Sequence, residues 1–156
     1  MNKKVIDALN KARERELGAI IQYMAQHYEM EDADFGKLAK VLKATAIAEM
    51  KHAEALAERI LFLGGVPSSK PEPAAKKGQA IPELLATDMA LEADAVKMYN
   101  DSAALCAAEK DNVSKELFDK LLADEEEHLD TFQNIKDHVD KLGDAYLVTL
   151  AGGAAE

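Results

Sequence analysis

Apolar residues recur at three- and four-residue intervals through four long stretches of the chain, and short polar or glycine-rich segments separate them. The spacing predicts helices over about 4–30, 35–63, 81–108 and 113–142. The first should stop in the cluster Glu31-Asp32-Ala33-Asp34, with Asp34 placed to cap the second. Gly64-Gly65-Val66-Pro67 ends the second, since glycine accepts the positive φ of a helix end and proline blocks continuation. Residues 64–80 also hold Pro71 and Pro73, so this connection is long and irregular. Pro82 suits the first turn of the third helix. Lys110-Asp111-Asn112 breaks the third from the fourth, and Gly143 ends the fourth before a short apolar helix over about 144–151. At 1.5 Å per residue each main helix is about 40–45 Å long. Two short connections around one long one predict a four-helix bundle in which helices one and two are antiparallel, as are three and four.

Composition narrows this to a single all-α domain spanning 1–156. Apolar residues make up 48% of the chain but aromatics only 5%, with no Trp, which suits packed helices better than sheets. A net charge of −10 argues against a nucleic-acid surface and favours the attraction of cations. Cys106 is the only cysteine, which rules out a disulfide or a cysteine-built zinc or iron–sulfur site within one chain. No run of 18 apolar residues suggests a membrane span, and Met1 to Leu9 does not read as a signal peptide, so the expected location is cytoplasmic.

Four acids break the amphipathic rule. Glu16 shares a helix face with Leu9, Ala12, Ala19, Ile20 and Tyr23; Glu49 with Leu42, Ala46, Ala53 and Leu56; Glu92 with Met89, Ala95, Val96 and Tyr99; Glu125 with Leu121, Leu122, Leu129 and Phe132. Buried without partners, each would cost several kcal/mol, so burial calls for compensating cations. Glu49-Met50-Lys51-His52 and Glu125-Glu126-Glu127-His128 each set a Glu and a His on one face at i, i+3. Glu16 to Glu49 and Glu92 to Glu125 are both 33 positions, and Glu16/Glu92, Glu49/Glu125, His52/His128 and Tyr23/Tyr99 are all 76 apart. The chain therefore reads as two copies of a helix pair, each supplying Glu…Glu-x-x-His. The four acids lie near the midpoints of their helices and meet at one level of a bundle. Four carboxylates and two imidazoles can hold two divalent ions, and a set without thiolate suits iron or manganese, with zinc as an imitator.

With these residues in place, the chain resembles the bacterioferritins over nearly its whole length. The segments Glu16-Leu17-Gly18-Ala19-Ile20-Ile21-Gln22-Tyr23, Glu49-Met50-Lys51-His52-Ala53-Glu54, Glu58-Arg59-Ile60-Leu61-Phe62-Leu63 and Asp124-Glu125-Glu126-Glu127-His128 carry the resemblance. It implies a ferritin-like four-helix bundle with one long crossover and a short fifth helix. It also implies a di-iron ferroxidase centre in each subunit, with Glu49 and Glu125 bridging, Glu16 and Glu92 terminal, and His52 and His128 completing the ligands. Tyr23 matches a family tyrosine beside the iron pair. Met50, about 100° round the helix from Glu49, matches the methionine that binds haem iron jointly with the same Met of a second subunit. Ala46, Ala53 and Ala57 would give the ring a smooth strip, and Ile20, Met24 and Ile47 would line its pocket.

The resemblance implies oxidation of Fe²⁺ with O₂ or H₂O₂, and ferric mineral stored in a hollow homo-oligomer of twenty-four subunits. An electron donor such as a ferredoxin would serve iron release. The chain departs from some relatives at Ala44 and Ala48, where those carry His and Asp as a further iron site on the cavity wall, so that inner site is not carried over. His27 and His138 lie near helix ends outside the ligand set, where surface or structural roles are expected. Two other classes stay open: a rubrerythrin-like di-iron peroxidase that stores no iron, and a DNA-protecting miniferritin. The duplicated intrachain ligands and the lack of a basic tail argue against the second.

Overall fold

The structure, a computed structural model, describes residues 1–153. Five helices follow one another: α1 (Lys3–Asp32), α2 (Gly36–Phe62), α3 (Ile81–Ala108), α4 (Asn112–Leu142) and the short α5 (Asp144–Leu150). α1 pairs along its length with α2, and α3 with α4, while α1 also meets α3 and α5 rests on α4 and α2. Among the described residues there are no strands, and no helix is long and apolar enough to cross a membrane.

The two halves repeat down to their backbone turns. Asp34 and Lys110, 76 positions apart, both take positive φ, 62° and 61°. Behind them the Phe35 amide donates to Met30 O at 2.8 Å, and the Asp111 amide donates to Cys106 O at 2.9 Å. The expected cap of α2 therefore moves by one residue. Asp34 is spent on closing the left-handed turn, and Phe35 sits at the N-cap without a side-chain hydrogen bond. In the second half Asp111 does cap α4, accepting from the Ser114 amide at 3.0 Å and from its hydroxyl at 2.6 Å. Arg59 of α2 ties in to both, 2.8 Å from Asp111 and 2.9 Å from Ser114 Oγ.

The crossover is strapped along α1. Asn10 and Ser68, Arg13 and Ser68 O, and Gln22 and Lys76 are hydrogen-bonded, the last reciprocally at 2.8 Å each way. The Glu72 amide donates to Glu14 O at 2.9 Å. Gly18 allows the closest approach, since a Cβ there would stand 2.1 Å from Glu72 O.

The hydrophobic core comes in two parts. One contains Tyr23, Leu38, Leu42, Leu84, Leu85, Phe132 and Leu150. The other contains Val5, Leu9, Leu56, Ile60, Tyr99, Cys106 and Phe118. Each main helix leaves one cluster and enters the other, α1 and α4 in the opposite sense to α2 and α3, as the antiparallel pairing requires. Between the clusters, at mid-height, lie Glu16, Glu49, Glu92 and Glu125, all buried.

Candidate metal centre

The i, i+3 spacing places Glu49 beside His52 on α2 and Glu125 beside His128 on α4, and α1 and α3 bring in Glu16 and Glu92. The structure gathers all six into two overlapping groups. Glu16, Glu49, His52 and Glu125 form one; Glu49, Glu92, Glu125 and His128 form the other; each group's candidate ligand atoms lie within 4.8 Å of one another. Glu49 and Glu125 enter both groups. His52 Nδ1 stands 3.0 Å from Glu125, 3.3 Å from Glu16 and 3.6 Å from Glu49. His128 Nδ1 stands 2.6 Å from Glu49, 3.6 Å from Glu125 and 3.7 Å from Glu92.

These atoms face one another without being satisfied. Glu16 Oε2, both oxygens of Glu49, Glu92 Oε2, Glu125 Oε1 and His128 Nδ1 are buried and complete no hydrogen bond. The short approach of His128 to Glu49 lies off the hydrogen-bonding direction. Buried polar atoms are almost always paired, so a converging set of orphans is the arrangement that cations would satisfy. Oxygen and imidazole donors in this number fit two divalent ions of the iron, manganese or zinc type.

The electrostatics point the same way. Burial, and then the neighbouring Glu16 charge, raises the Glu49 pKa well above the carboxylate range. Burial likewise raises Glu92, partly countered by His128. Burial also works against ionisation of Glu125, but the facing imidazoles of His128 and His52 outweigh it and hold that carboxyl far below its usual value. The imidazoles respond in the opposite sense. Burial works to lower them, yet Glu125 and its neighbours push His128 up to about 12 and His52 higher still. These shifts favour the protonated imidazoles, and metal ligation requires the neutral ring, so ion binding at the centre would release protons.

Two tyrosines complete the layer by crossing between the halves. Tyr23 on α1 donates to Glu92 at 2.5 Å, and Tyr99 on α3 donates to Glu16. Both are fully buried, and burial followed by the adjacent carboxylates raises their hydroxyl pKa values. Tyr99 was legible as the 76-residue counterpart of Tyr23, though only packing reveals its partner. Asp124, whose Oδ2 accepts from His52 Nε2 at 2.8 Å, gave no sequence signal because its counterpart is Ala48.

Met50 lies off the centre at 47% exposure, three positions along α2 from exposed Ile47. His27 is buried and donates to Ala39 O at 2.7 Å; exposed His138 donates to Asn134 O and stacks on Tyr146. Neither histidine joins the metal groups.

A helical bundle with four core carboxylates and two imidazoles in overlapping groups defines the class of di-metal carboxylate proteins. Comparison with known proteins narrows that class. The ferritin-like domain family matches residues 6–142. Bacterioferritin of Desulfovibrio desulfuricans is 44% identical over 149 residues, covering 96% of this chain and 83% of the relative. That of Brucella melitensis is 40% identical over 141 residues, covering 90% and 88%. The X-ray structure of the Desulfovibrio desulfuricans protein, which describes its di-iron site in different catalytic states, superposes with a TM-score of 0.96 at 42% identity, covering 98% of this chain and 90% of that one. The Mycobacterium tuberculosis bacterioferritin gives a TM-score of 0.93 at 31% identity, covering 97% and 96%. The chain belongs to the bacterioferritin family.

Proposed function

We propose that this chain is a ferroxidase that stores iron, taking Fe²⁺ into the centre built by Glu16, Glu49, His52, Glu92, Glu125 and His128. The observation that carries this reading is the sharing of Glu49 and Glu125 by both groups, because it holds two substrate ions next to each other at one oxidant. Each Fe²⁺ gives up one electron. With O₂ and two protons the pair yields H₂O₂; with H₂O₂ and two protons it yields two waters. The carboxylate-rich set stabilises the ferric product, and the tyrosine bonds from Tyr23 and Tyr99 orient the terminal carboxylates. Fe³⁺ then passes to a mineral core inside a hollow shell of twenty-four copies, a cytoplasmic store from which a ferredoxin-type donor releases iron by reduction.

The same reading gives Met50 to haem. Its thioether is half exposed on the face of α2 turned away from the centre, with half-buried Ala57 and exposed Ile47 on the same helix and half-buried Ile20 and Met24 on α1. Two copies of this face, brought together, would present two Met50 sulfurs to one haem iron.

The combined Glu49→Ala and Glu125→Ala substitution should abolish rapid Fe²⁺ oxidation in a stopped-flow assay, and normal rates would sink the proposal. Sizing the native protein separates it from a peroxidase that stores no iron, which needs no shell. For haem, Met50→Leu should remove the low-spin haem absorption, and an unchanged spectrum refutes that assignment.

A further inference from the structure

The internal repeat that builds the metal centre fails behind its histidines. Asp124 Oδ2 lies 2.8 Å from His52 Nε2, while the other ring nitrogen of His52 faces Glu16, Glu49 and Glu125. The ring is held from both sides. The position 76 residues before Asp124 is Ala48, which has no polar side chain to offer. The contacts of His128 with acids all run through Nδ1, and among the described residues its Nε2 completes no hydrogen bond. The His128 side chain is also the more exposed, 16% against 6% for His52.

The other members of the set do not produce this difference. Glu49 and Glu125 serve both groups, and the terminal carboxylates are matched, Glu16 by Tyr99 and Glu92 by Tyr23. The support behind the imidazoles is lopsided.

We infer that Asp124 is a positioning residue for His52, and that Ala48 leaves His128 without the same support. The two metal positions are then unequal: the ion at Glu16 and His52 is held tightly, and the ion at Glu92 and His128 exchanges more readily. A carboxylate behind a ligating imidazole fixes which nitrogen carries the proton, sets the plane of the ring and makes the free nitrogen a better donor to a cation. Losing such a partner typically costs about 10–100-fold in metal affinity. The inference rests on the dinuclear reading of the centre. It goes further by assigning the order in which the two ions come and go.

The test uses Zn²⁺, which binds without redox chemistry, titrated calorimetrically into the full chain in its native assembly. Glu92→Ala leaves the Glu16–His52 position, and Glu16→Ala leaves the Glu92–His128 position. The first should bind Zn²⁺ about 10–100-fold more tightly than the second. Adding Asp124→Ala should weaken binding by that factor in the Glu92→Ala background and leave the Glu16→Ala background unchanged. Adding Ala48→Asp should do the converse, tightening only the Glu16→Ala background. Equal affinities in the two backgrounds, or an equal loss in both on Asp124→Ala, overturn the inference. A wild-type protein that binds no Zn²⁺ at the centre overturns the dinuclear reading itself, an outcome distinct from two equal sites.

Discussion

Glu16→Ala and Glu49→Ala each delete one carboxylate of nearly the same burial, 1% and 0% exposed, yet the geometry requires them to differ in consequence. Glu16 belongs to one metal group and Glu49 to both. With free Zn²⁺ at about 100 times the weaker dissociation constant, each occupied site stabilises the fold by about 2.7 kcal/mol or more. Two sites contribute at least about 5 kcal/mol. For a chain of this size about 1 kcal/mol moves the melting temperature by roughly 2–4 °C. Loading the wild-type protein with Zn²⁺ should therefore raise Tm by roughly 10–20 °C. Glu16→Ala leaves only the weaker position and should keep about a third of that rise, and Glu49→Ala should lose nearly all of it. The quantity to compare is the difference between loaded and metal-free melts of each variant at one protein concentration, because changes in the metal-free fold then cancel. Circular dichroism or calorimetry reads it directly. A Glu49→Ala protein that retains half the rise, or a Glu16→Ala protein that loses all of it, would refute the shared-carboxylate arrangement.

Two further predictions follow from the crossover and the core. Gly18→Ala drives a methyl into Glu72 O; overpacking of this kind costs about 1–3 kcal/mol, against about 1 kcal/mol gained from helix propensity. A net loss of up to roughly 2 kcal/mol in chemical denaturation, with faster proteolysis within residues 66–78, is the expected result, and a stabilised protein would show that the strap yields freely. Asp88 is fully buried beside Gln26, with both carboxylate oxygens unpaired, and burial raises its pKa well above the usual value. The folded state thus keeps a proton that the unfolded state releases above about pH 4, so Asp88 favours folding below that pH and its contribution is lost as pH rises. Asp88→Asn cannot ionise, and its Tm relative to wild type should climb as pH rises above about 4. A difference that is constant with pH would mean Asp88 has a cationic or solvent partner.

Periodicity and spacing alone determined a great deal. Four acids on apolar stripes, two Glu-x-x-His steps and a constant offset of 76 mark out six residues, because burying charge is costly enough that only a compensated cluster explains the pattern. Helix number and the long crossover are likewise local matters of glycine, proline and apolar repeat. The cap of α2 was not legible, because whether residue 34 caps a helix or closes a left-handed turn depends on how α1 and α2 dock. The partners of the tyrosines were not legible either: Tyr23 reaches across to Glu92 and Tyr99 to Glu16, contacts between helices that sequence order does not pair. Asp124 shows the limit most clearly. On the chain it is one more exposed acid in the run Asp124-Glu125-Glu126-Glu127, and only the packing of α4 against α2 sets it behind His52. A repeat in sequence specifies which candidate ligands exist. The bundle decides which of them are braced, because bracing depends on through-space contacts 72 residues apart along the chain.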